Sequence, residues 1–136
     1  MNNVSVIGIG KLGLCFALTM ERAGYNVMGV DMSQEYVDSV NNKTLSSNEE
    51  GVEQHLSRSN NFTATTDLRT ALEHSNVLFI IVATPSLPNG RYDHTQIERL
   101  IEQLIQFGPQ KEQKHFVVCC TTMPQYCDTA QEKLQF

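Results

Sequence analysis

The chain lacks a long hydrophobic run. Its longest, Val77 to Ala83, is far short of the ~20 apolar residues that span a bilayer, so no membrane partner is expected. It also lacks a basic surplus: Lys and Arg total 10 against 15 acids, and they are scattered. Nucleic acid and anionic lipid surfaces call for a clustered basic stripe, so neither is expected as a partner. The opening MNNVSVIGIGK has neither the basic start nor the long apolar stretch of a signal peptide, which makes the cytoplasm the expected location. The cysteines Cys15, Cys119, Cys120 and Cys127 show no metal-ligand spacing, and no metal site is expected. In a reducing compartment they read as small buried hydrophobes, Cys15 on a helix and Cys119 and Cys120 on a buried strand. Cys127 follows a proline turn and falls near a helix start, a setting that lowers thiol pKa. Repeats and low-complexity segments are absent too. At 136 residues, with 40% hydrophobic and 18% charged residues, the chain is one globular domain with a core of its own.

What the sequence does have is an alternation of strand-length apolar runs with segments of helical period. Val4 to Ile9 reads as a strand, and Leu12 to Ala23 as a helix with Phe16, Ala17 and Met20 on one face and Gly24 as its terminating glycine. Asn26 to Val30 is a second strand, and Ser33 caps a short helix that carries Tyr36, Val37 and Val40 inward. After the polar stretch NNKTLSSNEEG come a short amphipathic piece with Val52 and Leu56, a strand at Phe62 to Thr65, and a helix capped by Asp67. Val77 to Ala83 is apolar on both faces, as a central parallel strand must be. Beyond the loop TPSLPNGRYD, Asp93 and Gln96 have the spacing of a capping box, ahead of a stripe of Ile97, Leu100, Ile101, Leu104 and Ile105. Gly108-Pro109 stops that helix, His115 to Thr121 is a further strand, and Pro124 to Leu134 a last helix. Such alternation predicts an α/β fold, a doubly wound, Rossmann-like parallel sheet of about five strands in order 3-2-1-4-5 with helices on both faces.

Gly8, Gly10 and Gly13 stand at G-x-G-x-x-G spacing between the first strand and the first helix. Gly8 permits the tight turn, Gly10 lets backbone approach a pyrophosphate, and Gly13 lets helix and strand pack closely. The free N–H groups and partial positive charge of the helix start suit an anion. Asp31 ends the second strand, near the separation of roughly 20 residues at which this fingerprint places a ribose-binding acid. A carboxylate there accepts from ribose hydroxyls and repels a 2′-phosphate. Met32 and Ser33 after it bring no Arg, so NAD is expected rather than NADP. The alternative is a structural glycine turn with Asp31 as a cap. Thr84-Pro85 at the end of the fourth strand and Thr121-Thr122-Met123-Pro124 at the end of the fifth face the same crevice, because ligands bind at the carboxyl ends of strands flanking the switch point.

Taken together, four stretches resemble the N-terminal NAD-binding domain of the UDP-glucose/GDP-mannose dehydrogenase family. They are VIGIGKLGLCFALTMERAGYNVMGVD, NEEGVEQHL where the family tends to have Glu-Pro-Gly-Leu, FTATTDLRTALEHSNVLFIIVATP, and CTTMP where it has Ser-Thr-Val-Pro. The resemblance implies pyrophosphate contacts from the turn Gly8, Ile9, Gly10, Lys11, Leu12 and Gly13, and a ribose contact from Asp31. It further implies that Thr84 and Pro85 lie near the reactive end of NAD, with Thr122 as a catalytic residue beside the nicotinamide. Gln125-Tyr126-Cys127 replaces the family's Pro-Gly-Thr, and with it a glycine's backbone freedom.

Members of the family oxidise the C6 hydroxymethyl of a nucleotide sugar to a carboxylate, with two NAD and a cysteine thiohemiacetal. Their nucleophile lies in a Gly-Gly-Ser-Cys-Phe-Pro-Lys segment that has no counterpart here, and none of the four cysteines maps onto it. The expectation is that residues 1–136 form the NAD-binding, N-terminal part of a larger nucleotide-sugar dehydrogenase, inactive alone, with a homodimer as a candidate assembly. Two readings stay open beside it: a free-standing NAD-binding sensor or interaction module, and the first domain of another NAD-dependent dehydrogenase of hydroxyacid type.

Overall fold

A computed structural model describes residues 2–134. In chain order its elements are β1 (Asn3–Ile7), α1 (Lys11–Arg22), β2 (Asn26–Val30), α2 (Gln34–Asn41), α3 (Val52–Arg58), β3 (Phe62–Thr65), α4 (Leu68–His74), β4 (Val77–Ile80), α5 (Thr95–Phe107), β5 (His115–Val118) and α6 (Tyr126–Lys133). The sheet has 5 strands in order β3-β2-β1-β4-β5, every neighbouring pair parallel. Parallel neighbours need a helix-sized crossover, which the sequence alternation supplies. The order reverses between β1 and β4, and their carboxyl ends flank the crevice.

Strand alternation sorts side chains onto two faces. Val4, Val6 and Val27 pack with Leu14, Ala17 and Leu18 of α1, Val37 and Val40 of α2, and Val52 and Leu56 of α3. Ile7, Val30, Leu78 and Ile80 point the other way, against Leu68, Ala71 and Leu72 of α4 and Ile97, Leu100, Ile101 and Leu104 of α5. Ser5 is fully buried on that second face, and its hydroxyl donates to the Ala71 carbonyl at 2.7 Å. That bond removes the cost of an unpaired buried hydroxyl and ties α4 to β1.

Caps set the helix ends. The Ser33 hydroxyl accepts from the Tyr36 N–H, and the Asp67 carboxylate accepts from the Arg69 N–H. α1 closes in a Schellman motif: the Gly24 N–H donates to the Glu21 carbonyl and the Tyr25 N–H to the Met20 carbonyl, with Gly24 at φ 98°. The Asp93–Gln96 capping box does not form. Asp93 Oδ1 accepts from both the N–H and the hydroxyl of Thr95, a turn onto the residue two ahead, and His94 becomes the cap position.

Three strands end earlier than their apolar runs suggest. The last registered partners are Ile7, Ile80 and Val118. β1 must break at Gly8 to form the turn, so beyond Ile81 the β4 chain has lost its partner on the β1 side. On the β5 side the last bond runs from the Cys119 N–H to the Ile80 carbonyl. Cys119 and Cys120 therefore lie past β5 rather than within a buried strand, Cys119 exposed and Cys120 half-buried. Residual burial still pushes both thiols above the ordinary cysteine range. Cys15 is half-buried and Cys127 exposed in the first turn of α6. Among the described residues no helix is long and apolar enough to cross a membrane, and no group of three His, Cys, Asp or Glu is arranged to hold a metal.

Candidate functional site

A cavity of about 460 Å³ opens at the carboxyl ends of β1, β2 and β4. One wall is the glycine turn. Gly8 sits at φ 93°, a conformation that L side chains rarely adopt, and a Cβ there would lie 2.5 Å from the Ile81 carbonyl oxygen. A Cβ on Gly13 would come to 1.7 Å from the Gly8 carbonyl oxygen, so α1 crosses the turn at backbone contact. Gly10 differs from both: its φ is −65°, and an added Cβ would meet nothing within 4 Å. Its missing side chain leaves open space on the cavity side.

The first helical bond of α1 runs from the Leu14 N–H to the Gly10 carbonyl at 2.9 Å. The N–H groups of Lys11, Leu12 and Gly13 precede it, no side chain caps them, and the first turn holds no acid. These residues all line the cavity. A helix start with open donors, its positive dipole end and room at Gly10 suit a diphosphate, so these residues fit the pyrophosphate of NAD. The Lys11 ammonium stands 3.4 Å from the Glu49 carboxylate, in a largely solvated pair.

Asp31 forms a second wall, at the end of β2. Its Oδ1 accepts from the Ser33 N–H at 3.0 Å, and among the described residues Oδ2 has no protein donor. Met32 and Leu12 at the cavity mouth are 86% and 67% exposed, large apolar side chains with no protein cover. The floor is apolar, with Ile7, Val30, Leu68 and Leu100. Such a site suits a flat aromatic base at one end and a polar, charged tether at the other.

The structure brings Gly8, Gly10, Lys11, Leu12, Gly13 and Asp31 together on this cavity. Ile9, Thr84, Pro85 and Thr122 are not among its lining residues. The Ile9 side chain is fully buried among the α1–α2 side chains, and its carbonyl accepts from a side-chain hydroxyl, so neither of these groups faces a ligand in the cavity. Thr84 and Pro85 follow β4 in a loop whose Ser86 and Tyr92 form an antiparallel bridge. Thr122 lies in the β5–α6 loop, where the neighbouring Met123 N–H donates to His94 Nε2 at 3.1 Å. The His94 ring packs on Tyr126 with centroids 4.1 Å apart. Burial pushes the Tyr126 phenol up to about 12, and Glu98 adds to the shift.

Sequence reasoning missed five participants. Gln96, Arg99 and Gln103 line the cavity from the polar side of α5. Their helical spacing opposite the Ile97–Leu104 stripe was the available signal. The Tyr36 hydroxyl donates to the Ile9 carbonyl at 2.6 Å, a contact no local pattern announces. His94, which anchors the Thr122 loop, carried no signal either.

Comparison with known proteins agrees with this geometry. Residues 2–135 match the family described as UDP-glucose/GDP-mannose dehydrogenase family, NAD binding domain. The GDP-mannose 6-dehydrogenase of Pseudomonas aeruginosa is 32% identical over 123 residues, which cover 88% of this chain and 28% of that protein. The UDP-N-acetyl-D-mannosamine dehydrogenase of Methanococcus maripaludis is 28% identical over 111 residues, or 79% of this chain and 26% of that protein. Among solved structures, a ternary complex of the P. aeruginosa GDP-mannose dehydrogenase superposes with a TM-score of 0.86 at 28% identity, covering 98% of this chain and 33% of that one. The chain thus spans between a quarter and a third of the length of these relatives.

Proposed function

The chain belongs to the UDP-glucose/GDP-mannose dehydrogenase family, as its NAD-binding domain, and from that premise we propose how its residues hold the cofactor. The N–H groups of Gly10, Lys11, Leu12 and Gly13 receive the pyrophosphate, while Gly8 and Gly13 give the turn its shape. Asp31 Oδ2 accepts from the adenosine ribose, and the adenine lies on the apolar floor between Met32 and Leu68. Thr84, Pro85 and Thr122 serve the nicotinamide end from the loops after β4 and β5, at the same carboxyl edge of the sheet. The observation that carries this reading is the open space at Gly10 beside uncapped α1 donors, with the free oxygen of Asp31 on the opposite wall.

Bound NAD supplies the hydride acceptor. The chain's own work is to bind it, orient it, and refuse NADP through the charge of Asp31. In the larger enzyme this domain serves the oxidation of a UDP- or GDP-linked sugar to its uronate, in the cytoplasm and within a homodimer. Residues 1–136 are its N-terminal part and do not turn over nucleotide sugar alone.

Calorimetry with NADH and NADPH tests the reading. NADH is expected to bind and NADPH to bind more weakly; equal affinities, or folded protein that ignores NADH, refute it. Asp31→Ala removes a charged acceptor worth about 1.5–3 kcal/mol, so NADH affinity should fall between roughly 10- and 150-fold. Turnover of UDP-glucose or GDP-mannose by the 136-residue chain would refute the division of labour.

A further inference from the structure

We propose that Tyr36 is a positioning residue of the cofactor cradle: its hydroxyl holds the Ile9 carbonyl so that the Gly10 N–H faces the diphosphate. The proposal rests on the NAD reading above and adds a residue that no glycine fingerprint contains.

The geometry runs through a single peptide plane. The Tyr36 hydroxyl donates to Ile9 O at 2.6 Å from the far side of the turn. No peptide bond among the described residues is cis, so the Ile9 C=O and the Gly10 N–H point in opposite directions. With the carbonyl drawn toward α2, the N–H is turned away from α2, and Gly10 lines the cavity. Among the described residues the Gly10 N–H has no protein acceptor.

This plane is the one in the turn that most needs holding. Rotating it exchanges the direction of the N–H mainly through ψ of Ile9 and φ of Gly10, and glycine tolerates either sign of φ. The Gly8 N–H, by contrast, is fixed on the Val30 carbonyl at 2.9 Å. The Ile9 side chain is fully buried and sits over Gly29, its Cγ2 2.8 Å from where a Cβ there would lie. The side chain therefore fixes Ile9 in place, but only the tyrosine fixes its carbonyl.

Tyr36 is itself well anchored. Its N–H donates to the Ser33 hydroxyl at 3.2 Å, and the Ser33 N–H donates to Asp31 Oδ1 at 3.0 Å. A chain of hydrogen bonds thus links the ribose acid to the pyrophosphate turn through the start of α2. Burial, followed by the nearby Asp31 charge, pushes the Tyr36 phenol above its ordinary range, which keeps it a donor at neutral pH.

Tyr36→Phe keeps the ring and removes the donor. If freeing the plane leaves the competent orientation about one-tenth populated, NADH affinity falls about tenfold. Adenosine, which has the ribose and base but no pyrophosphate, should bind both proteins within about twofold of one another by NMR titration. Unchanged NADH affinity in folded Tyr36→Phe overturns the proposal, and so does an equal loss for NADH and adenosine. Should the variant not fold, the wild-type protein decides: inorganic pyrophosphate is expected to shift the Gly10 amide resonance, and an unmoved Gly10 refutes the role. Wild-type protein that binds no NADH at all refutes the cofactor reading itself, before any variant is made.

Discussion

Two alanine substitutions in the same turn should fail in opposite ways. At Gly13 the new Cβ would lie 1.7 Å from the Gly8 carbonyl oxygen and 2.8 Å from its carbon. Both are backbone atoms of a turn packed against Ile81, so neither has a rotamer through which to yield. Ordinary contact begins at about 3.4 Å, and α1 would have to lift from β1 by more than an ångström. Overpacking of this kind costs about 1–3 kcal/mol where side chains can adjust and more where they cannot. Gly13→Ala is therefore expected at or beyond ~3 kcal/mol of destabilisation. At Gly10 the backbone is at φ −65° and the added Cβ meets nothing. Stability should stay within about 0.5 kcal/mol, and the smaller unfolded-state entropy of alanine favours a slight gain. On the proposed reading the methyl instead fills the space that the pyrophosphate would take. Losing one or two charged hydrogen bonds, about 1.5–3 kcal/mol each, lowers NADH affinity by at least roughly tenfold. Urea unfolding and NADH calorimetry on both variants give the check. A Gly10→Ala protein that binds NADH as the wild type does would refute the cradle. A Gly13→Ala protein as stable as the wild type would refute the helix–turn contact.

Gln125, at φ 68°, is a non-glycine residue in the left-handed region at the start of α6. Relief of about 1–2 kcal/mol of left-handed strain, less the larger unfolded-state entropy of glycine, leaves Gln125→Gly more stable by about 0.5–1 kcal/mol. A thermal melt should show the rise, and a lower Tm would contradict it. Acid will weaken the N-terminus of α4, because Thr70 and then Arg69 hydrogen-bond the Asp67 carboxylate and hold its pKa below the ordinary value. A depressed pKa contributes stability that is complete above the unfolded value of about 4 and is lost as pH falls through the lower native value. Asp67→Asn should be less stable than wild type at neutral pH, with the difference shrinking below about pH 4. A pH-independent difference would contradict the assignment.

The alternation of strands and helices and the glycine turn were legible because both are local signals, and the strand order followed from the fold class that the alternation implies. A strand of period two, a glycine triplet, a helical stripe and an acid at the next strand end each lie within a short window. Ser33 and Asp67 read correctly as caps for the same reason. Asp93 did not, since the choice between capping a helix and turning onto Thr95 depends on where the loop enters α5. The strand ends were illegible because pairing belongs to two strands at once. Nothing in Ile81-Val82-Ala83 says that β1 has already turned at Gly8. The cysteines misled through the same gap: Cys119 and Cys120 are apolar in composition but fall beyond the last pair of an edge strand. Contacts between distant residues were beyond reach altogether. The Lys114 ammonium donates to the Leu72 and Ser75 carbonyls and to Asn76 Oδ1, closing the end of α4. In the sequence it is one more scattered lysine.

The two ends of the site are held by different means. The pyrophosphate end rests on backbone contact between Gly8 and Gly13, on the Gly8–Val30 bond, and on Ile9 seated in the core; altering it means disturbing the sheet. Thr84, Pro85 and Thr122 stand on loops beyond the last paired residues of β4 and β5. There the Thr122 loop is tied to the α5 side by the Met123 N–H on His94 Nε2, with the His94 ring against Tyr126. That nitrogen accepts, so it carries no proton in the anchored form. A segment held by so few contacts opens at lower free energy than the core it leaves. On the proposed reading, holding the pyrophosphate of NAD and placing Thr122 are thus separable: the first rests on the packing of β1 and α1, the second on loop contacts that include the His94 imidazole.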